Sequence, residues 1–539
     1  MTSQAEIHVE QVNVVIQPQT QTQAYWVSKF AVTEADIEQI YNHFIEVEKP
    51  QTASQLARVI LHFRLMEEKN EIKQRLSGRD LYQPRKSYAV GDELVFPAMQ
   101  FAYGKVVSTR PGANPQEGQF DVIAVEINGK VREFAAGLQS DHPLNKENGN
   151  LFAGFDLATV EELHRQYGGL VAKKLTELLG KQEGFVRLGQ QWFVRGLMAE
   201  ISIGHLHLAE AVLDMNGGGP LAADEIMVDL DLDPGVDIEV RRFSLNHALL
   251  NDSRFDEVAP QGKVVWYLRR LEPEGVRERP PRLAYTSIPH DRALLSPQLQ
   301  NLERELDDEW SDLPPQTVAQ PVVLTLTYPH RYSGTLPLSA RTRPLFPPSN
   351  SPRQLVTFID EVTSEEIAAW VVQHDRYIYG LKDWYEANGV PIGGFINLRP
   401  GPEPGVILLG CDRRRGQREW VRLATVIEGQ IKFELHRRTI SCGFDDLMIV
   451  GTDFVTAVDV VWRRAETNKR PIASLLAEIF PELAALNPQV TVHAKTLYSA
   501  INMFRRVPPG PLFAELVRQP AFQQVGDHYW QFDSSRWNG

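Results

Sequence analysis

Two sets of basic residues in the C-terminal half have the types and spacing to bind a nucleic acid. Arg413, Arg414, Arg415 and Arg418 crowd an expected hairpin loop between Gly410 and Trp420. A guanidinium offers a planar fork of donors that matches a phosphate, so such a cluster suits a phosphodiester backbone. Tyr377, Tyr379, Trp384 and Tyr385 lie upstream and offer ring faces for bases to stack on. An exposed hairpin tip also tolerates charge without a ligand, so both readings stay open. The second set is Lys495, Ser499, Asn502, Arg505 and Arg506, in an expected helix from Ala494 to Arg506 that contains no acid. Three- and four-residue spacing puts Lys495, Ser499, Asn502 and Arg506 near one face, with Leu497, Ile501 and Phe504 turned away from it. A basic polar stripe on the helix before a two-stranded wing is what reading a major groove requires. An ordinary solvated helix has the same composition.

The other polar clusters lack the partners that catalysis or a cofactor needs. Gly217-Gly218-Gly219 is not followed by the Lys-Ser/Thr of a phosphate-binding loop, and no GxGxxG follows a strand. These glycines suit a helix end. Asp229, Asp231 and Asp233 imitate a calcium loop, but Pro234 and Val240 stand where Gly and Glu are required. His205 and His207 fall on roughly opposite sides of a helix. Cys411, His436 and Cys442 could meet on neighbouring strands, yet no CxxC pair supports zinc. Glu71-Ile-Lys73 has the ExK spacing of many nucleases but sits in a polar helical segment. The expectation is a protein without catalytic residues, metal or cofactor. Dispersed carboxylates, which leave no local signature, keep a hydrolase open.

Composition narrows the class. A chain of 539 residues is too long for one core and implies about three to five domains. It is 43% hydrophobic and 23% charged, as soluble globular proteins are. No apolar run is long enough for a membrane span and the polar N-terminus has no signal-peptide pattern. Two cysteines cannot frame a disulfide-dependent fold, so a reducing cytoplasm is the expected location. The net charge of −13 argues against non-specific coating of nucleic acid. Acids concentrate at 221–239 and 301–312, bases at 399–442 and 455–518. A nucleic-acid face therefore belongs to the C-terminal half, and the acidic half suits a protein partner.

These residues need a scaffold, and hydrophobic periodicity supplies one. The expected divisions are a polar arm and helical module over 1–84, a small barrel over 85–140, a helix-plus-ribbon module over 141–200, a second over 201–272, a semi-extended Pro-rich acidic linker over 273–320, a β-rich domain over 321–452 and a third helix-plus-ribbon module over 453–539. Thr33 and Asp36 start a helix as a capping box. Tyr88 to Ala135 holds four short alternating strands between Gly, Pro and Asn turns, with Phe96, Phe101 and Tyr103 as groove or core aromatics. Three tails repeat one pattern: Phe185-x-x-Leu188 before Trp192, Phe255-x-x-Val258 before Trp266, and Phe522-x-x-Val525 before Trp530. A two-stranded ribbon cannot stand alone, so its Phe and Trp should cover a three-helix core. Tips such as Ala259-Pro-Gln-Gly262 are then free to touch a duplex. The helix order in the last module is read as 455–466, 472–486 and 494–506.

Helix, helix, helix, wing is the winged-helix order. The stretch HLAEAVLDMNGGGPLAADEI…FSLNHALLNDSRFDEVAPQGKVVWYL resembles the HARE-type winged helix of the bacterial RNA polymerase delta subunit, restriction-endonuclease fusions and chromatin proteins. The VGD-x-LVFP…GKVV order resembles SH3-like barrels of the Tudor and elongation-factor type. The HARE resemblance covers about 65 residues and implies association with DNA or the transcription machinery, and no catalytic residues. The fold class expected is multi-domain α+β: several winged-helix modules, an SH3-like barrel and a β-rich domain. The function expected is non-enzymatic DNA binding or transcription association, with duplex DNA and a protein of the transcription machinery as partners and no membrane. The alternative is a protein-interaction scaffold or an accessory factor of a defence or restriction system.

Overall fold

The computed structural model describes residues 18–76, 80–96, 99, 102–114, 118–140, 142, 145, 158–260, 262–316, 321–349 and 351–537. Phe101, the strand-like run Val12–Ile16 and Gln261 lie outside them. The chain is mixed α/β and divides into two compact units, residues up to 200 with 232–245, and 201–231 with 246 onward.

In the first unit, α1 (Glu34–Val47), β1 (Gln51–Thr52) and α2 (Ala53–Leu76) come first. Thr33 caps α1 as expected, its N–H donating to Asp36 Oδ2 at 2.8 Å. Arg64 Nε donates to the other oxygen of this buried carboxylate at 2.8 Å. Five strands follow: β2 (Asp80–Leu81), β3 (Glu93–Phe96), β4 (Ala102–Pro111), β5 (Asp121–Ile127) and β6 (Lys130–Ala136), paired in that order into one half-barrel sheet. Their inward residues, among them Leu94, Phe96, Val106 and Val125, make a separate core. A Cβ on Gly104 would lie 2.5 Å from Val125 Cγ1, so only glycine lets β4 approach β5 there. Then come α3 (Val160–Leu179) and the hairpin β7 (Phe185–Leu188) and β8 (Gln191–Val194).

The expected divisions at 84/85 and 140/141 cut through one body. Leu56, Ile60 and Leu61 of α2 share a core with Leu163, Val171 and Leu175 of α3 and with Trp192 and Phe193. The half-barrel is thus an insertion between two helices of a single module. Contacts across such a separation leave no trace in local periodicity.

The second unit opens with α4 (Ile203–Met215), β9 (Leu221–Ala222), α5 (Ala223–Met227), α6 (Ile238–Leu250, whose first half belongs to the first unit), β10 (Phe255–Glu257) and β11 (Val265–Leu268). After α7 (Glu274–Arg277) and α8 (Pro297–Leu306), a seven-stranded sheet forms. It comprises β12 (Val322–Thr325), β13 (Thr335–Pro337), β14 (Arg353–Asp360), β15 (Glu366–Val372), β16 (Tyr377–Tyr379), β17 (Phe395–Pro400) and β18 (Val406–Cys411), in the order β12-β17-β18-β14-β15-β16-β13. The helices α9 (Tyr328–Ser333) and α10 (Lys382–Ala387) interrupt it. A long ribbon of β19 (Arg413–Ile427) and β20 (Gln430–Cys442) leads through β21 (Val450–Gly451) to α11 (Val455–Thr467). The chain closes with α12 (Ile472–Ala484), β22 (Val492–His493), α13 (Ala494–Ile501), α14 (Pro509–Arg518), β23 (Phe522–Gly526) and β24 (Tyr529–Phe532).

One arrangement occurs three times: helix, two-residue strand, helix, helix, ribbon. In each copy the ribbon Trp faces the same two positions. Trp192 pairs with Arg187 and Gln51, Trp266 with Glu257 and Leu221, and Trp530 with Gln524 and Val492. In every case the ribbon Phe stands two residues before the cross-strand partner. Ala53, Ala223 and Ala494 each begin the helix after the short strand. All three Trp side chains are buried, and an indole this size contributes on the order of 150–250 Å² of covered surface.

Three expectations need correction. Residues 273–316 are no extended connector, since Leu283, Leu295, Leu299 and Leu302 are buried. The tip after β10 is not free: Leu355 N–H donates to Val258 O at 2.9 Å, Ser349 Oγ to Ala259 O at 3.1 Å, and Tyr267 meets Trp370 edge-on at 5.0 Å. The last module's helices are α12, α13 and α14, one step later than expected. The last of these begins at Pro509 with Pro508 as its cap, since proline is tolerated in a first helical turn, where N–H groups have no intrahelical partner.

A buried ionic network joins these parts. Arg506 NH2 donates to Asp308 Oδ2 and to Glu309 Oε1, each at 2.7 Å. Tyr498 Oη donates to Asp308 at 2.5 Å, and His330 lies between Glu309 (3.2 Å) and Thr335 Oγ1 (2.9 Å). Burial raises the Asp308 carboxyl above its usual range. Burial pushes Glu309 the same way, but Arg506 and His330 outweigh it and hold that carboxyl below. Removing one partner of such a pair strands the other charges away from water. Arg506→Ala is expected to cost about 3–5 kcal/mol in urea unfolding; a loss under about 1 kcal/mol would show that water reaches the carboxylates.

Candidate nucleic-acid interface

The two basic sets have different fates. Ser499, Asn502 and Arg506 are buried, at 0%, 2% and 2% exposure, so the expected groove-reading stripe is an interior surface. Ser499 Oγ donates to Met448 O at 2.6 Å, and Asn502 Nδ2 to Tyr498 O and Val507 O, each at 2.9 Å. Lys495 is held between Asp445 (2.8 Å) and Glu305. Arg505 donates to Arg470 O. The helix ends at Ile501, before the last two arginines. The stripe reads as solvent-facing because its ionic partners, Asp308 and Glu309 for Arg506 and Glu305 and Asp445 for Lys495, are distant in sequence. The helix that does precede the ribbon, α14, is itself buried over Pro509–Ala514.

Arg413, Arg414, Arg415 and Arg418 lie on β19, a strand where a loop was expected. The ribbon runs in continuous antiparallel register from Gln417–Ile440 to Ile427–Gln430, with an irregularity between Arg413 and Gln417. Its two-residue turn is Glu428-Gly429, with φ of 53° and 81°, a pair of positive angles whose twist matches the strands. Both ends are fixed. At the turn end Ala424, Ile431 and Phe433 enter the core of the last module, and Lys432 Nζ meets Glu482 at 2.7 Å. At the base Arg413 donates to the buried Asp360 at 3.2 Å and to Asn388 Oδ1. Asp360 also accepts Trp384 Nε1 at 2.6 Å. Arg413 is thus a structural post.

Between these anchors Arg415, Arg418, Trp420 and Arg437 are exposed, while Val421, Leu423 and Ile440 pack with Ile449. Residues 413–442 hold eight Lys or Arg and three Asp or Glu, so the local sign is opposite to that of the whole chain. Arg414 pairs with Asp412 at 2.6 Å and Arg438 with Asp453, both in exposed positions where ion pairs hold weakly. Arg415, Arg418 and Arg437 have no carboxylate within 4 Å among the described residues. Cross-strand register places Arg418, Trp420, Arg422, Leu435 and Arg437 on one face. The Arg437 guanidinium lies 4.9 Å from the Trp420 ring centre.

Trp420, 55% exposed, is the aromatic group beside the arginines. The expected partners are not: Tyr377, Trp384 and Tyr385 are buried in the sheet's core region. Trp420 and Arg437 were missed because a cross-strand neighbour is visible only once the register is known. Alternation from Arg418 to Trp420 was the available signal.

Trp420 also borders a groove of about 430 Å³ that Arg422, Leu435, His493, Thr496 and Tyr529 help to line. Arg422 NH1 donates to Asp446 O at 2.7 Å and Ile449 O at 3.3 Å. His493 Nδ1 accepts the Lys495 N–H at 3.1 Å and so caps α13, which requires an unprotonated ring nitrogen. Burial, with His528 and Lys495 adding to it against Asp445 and Glu305, pushes His493 down to about 4. Cys411 and Cys442 are free thiols. Among the described residues no three His, Cys, Asp or Glu side chains are placed to hold a metal ion, and no helix is long and apolar enough to cross a membrane.

Because the folded value of His493 lies below the unfolded one of about 6.5, the unfolded chain binds more protons between the two. The stabilisation from neutral His493 is complete above about pH 6.5 and is lost as pH falls toward about 4. His493→Asn keeps a capping oxygen without titrating. Its urea midpoint should fall less between pH 7 and 4 than that of the wild type; parallel curves would refute this role.

In comparisons with known proteins, no family model matches the chain, and neither a curated protein nor a solved structure shows significant similarity to it.

Proposed function

We propose that this chain is a non-enzymatic binding protein that holds a nucleic-acid backbone on the open face of the β19–β20 ribbon. The observation that carries the reading is the set of three carboxylate-free guanidiniums, Arg415, Arg418 and Arg437, on a ribbon clamped at both ends in a chain of net charge −13. Surplus positive charge on a fixed strand pair suits phosphates spaced along a polymer. On this reading the three repeated modules are winged helices, and 201–272 is the HARE-type member. The copy over 472–532 has turned its groove-reading helix inward, so contact there is by backbone and independent of sequence. Duplex DNA is the partner proposed. The buried α14 and the occupied tip at Val258–Ala259 favour a second role for the modules as protein-packing units, with a transcription-associated protein as the partner proposed for the acidic segment 221–239, since Glu303, Asp307, Asp308 and Glu309 of the other segment are buried.

Each phosphate neutralised contributes about 0.9 to the log–log dependence of duplex affinity on salt. Fluorescence anisotropy with a labelled duplex between 50 and 200 mM salt should show a steep slope for the wild type. The triple variant Arg415→Ala, Arg418→Ala, Arg437→Ala should bind more weakly, with a slope shallower by about 2–3. Absence of salt-sensitive binding by the wild type would overturn the proposal.

A further inference from the structure

The groove beside Trp420 differs in character from the ribbon it adjoins. Among the described residues of its lining Arg422 is the one guanidinium, and it is engaged with two main-chain carbonyls. A phosphate would find that cation already occupied. Neutral polar groups, Asn487, Thr491 and Thr496, stand with the aromatic Trp420 and Tyr529 in its lining. Arg437 stacks on the Trp420 ring but does not itself line the groove that the indole borders. The site as a whole therefore suits a ligand with an uncharged, planar, hydrogen-bonding part attached to a polyanion.

We infer that the groove receives one unpaired nucleobase, stacked on Trp420, from a strand whose phosphates lie on Arg415, Arg418 and Arg437. The inference rests on the ribbon being a backbone-binding face. It adds that the protein prefers strands with unstacked bases to a fully paired duplex. A base inside a duplex has both faces covered by its neighbours, and extruding it costs stacking and pairing energy. In a single strand or a bulge that cost is small, and stacking on an exposed indole is gained. The Thr491 hydroxyl, which accepts from Asn487 Nδ2 at 3.3 Å, can still donate to the base edge, and the Thr496 hydroxyl, which donates to Leu447 O at 2.7 Å, can still accept from it.

The test uses the full chain and three labelled oligonucleotides: a blunt duplex, the same duplex with a two-nucleotide bulge, and the single strand. The wild type is expected to bind the bulged and single-stranded forms about tenfold more tightly than the blunt duplex. Trp420→Ala should bind all three oligonucleotides alike, having lost that preference, and Trp420→Phe should keep most of it. Equal wild-type affinities for all three oligonucleotides would overturn the base-receiving groove and leave the ribbon reading standing. So would an equal loss on all three in Trp420→Ala, checked against an unchanged thermal midpoint. No binding to any oligonucleotide would overturn both.

Discussion

Arg506 in the second unit is a full positive charge at 2% exposure, and its neighbourhood is built to make that tolerable. An unpaired guanidinium at such depth would be prohibitively costly, so Asp308 and Glu309 must be held against it. Tyr498 and His330 in turn must satisfy the carboxylates. These residues come from the segment after α8, from α9, from α13 and from the turn after it. One electrostatic requirement therefore fixes the last module against the segment 297–310 and the start of the seven-stranded sheet. Geometry of this kind favours a single docking arrangement, because any shift leaves a buried charge alone.

The ribbon inherits its rigidity from that docking. Its turn end is part of the last module's core, through Phe433 and Ile431, while its base is tied to the sheet by Arg413 and Asp360. A hairpin held at one end would splay and let its arginines find local carboxylates. Held at both, it keeps Arg415, Arg418 and Arg437 away from them. The same fixation places Trp420 beside groups of β22, α13 and β24 in the groove lining. Basic face and neutral groove are thus consequences of one packing arrangement.

What the sequence disclosed follows from how local each feature is. The three Phe and Trp tails, the Thr33 cap, the alternating strands of the half-barrel and the β-rich character of 321–452 depend on neighbours in the chain, and all are present in the fold. Features set by distant partners were hidden. The stripe Lys495, Ser499, Asn502 and Arg506 has the pattern of a solvent-facing polar surface, since helical spacing cannot distinguish water from a buried carboxylate as the partner. Asp307, Asp308 and Glu309 look like linker charge for the same reason. The insertion of the half-barrel between α2 and α3 is a long-range fact with no local mark. The start of α14 is hidden for a different reason: Pro508 caps it and Pro509 opens its first turn, although proline breaks helix interiors.

The repeated module shows how one packing solution serves different ends. Its constant parts are the short strand, the Ala that begins the next helix and the Trp that pairs with that strand; these close the open side of the helices. Nothing in that closure dictates what the helix before the ribbon faces. In the last copy that helix carries Leu512, Phe513 and Leu516, all buried, and the hydrophobic gain from covering them outweighs any use of the surface for binding. A binding role must then move to an element whose backbone pairing is already complete and whose side chains are not needed by the core. One face of the β19–β20 ribbon meets both conditions: the strands satisfy each other's hydrogen bonds, and Arg418, Trp420 and Arg437 are exposed on it while Val421 and Leu423 serve the core from the other face.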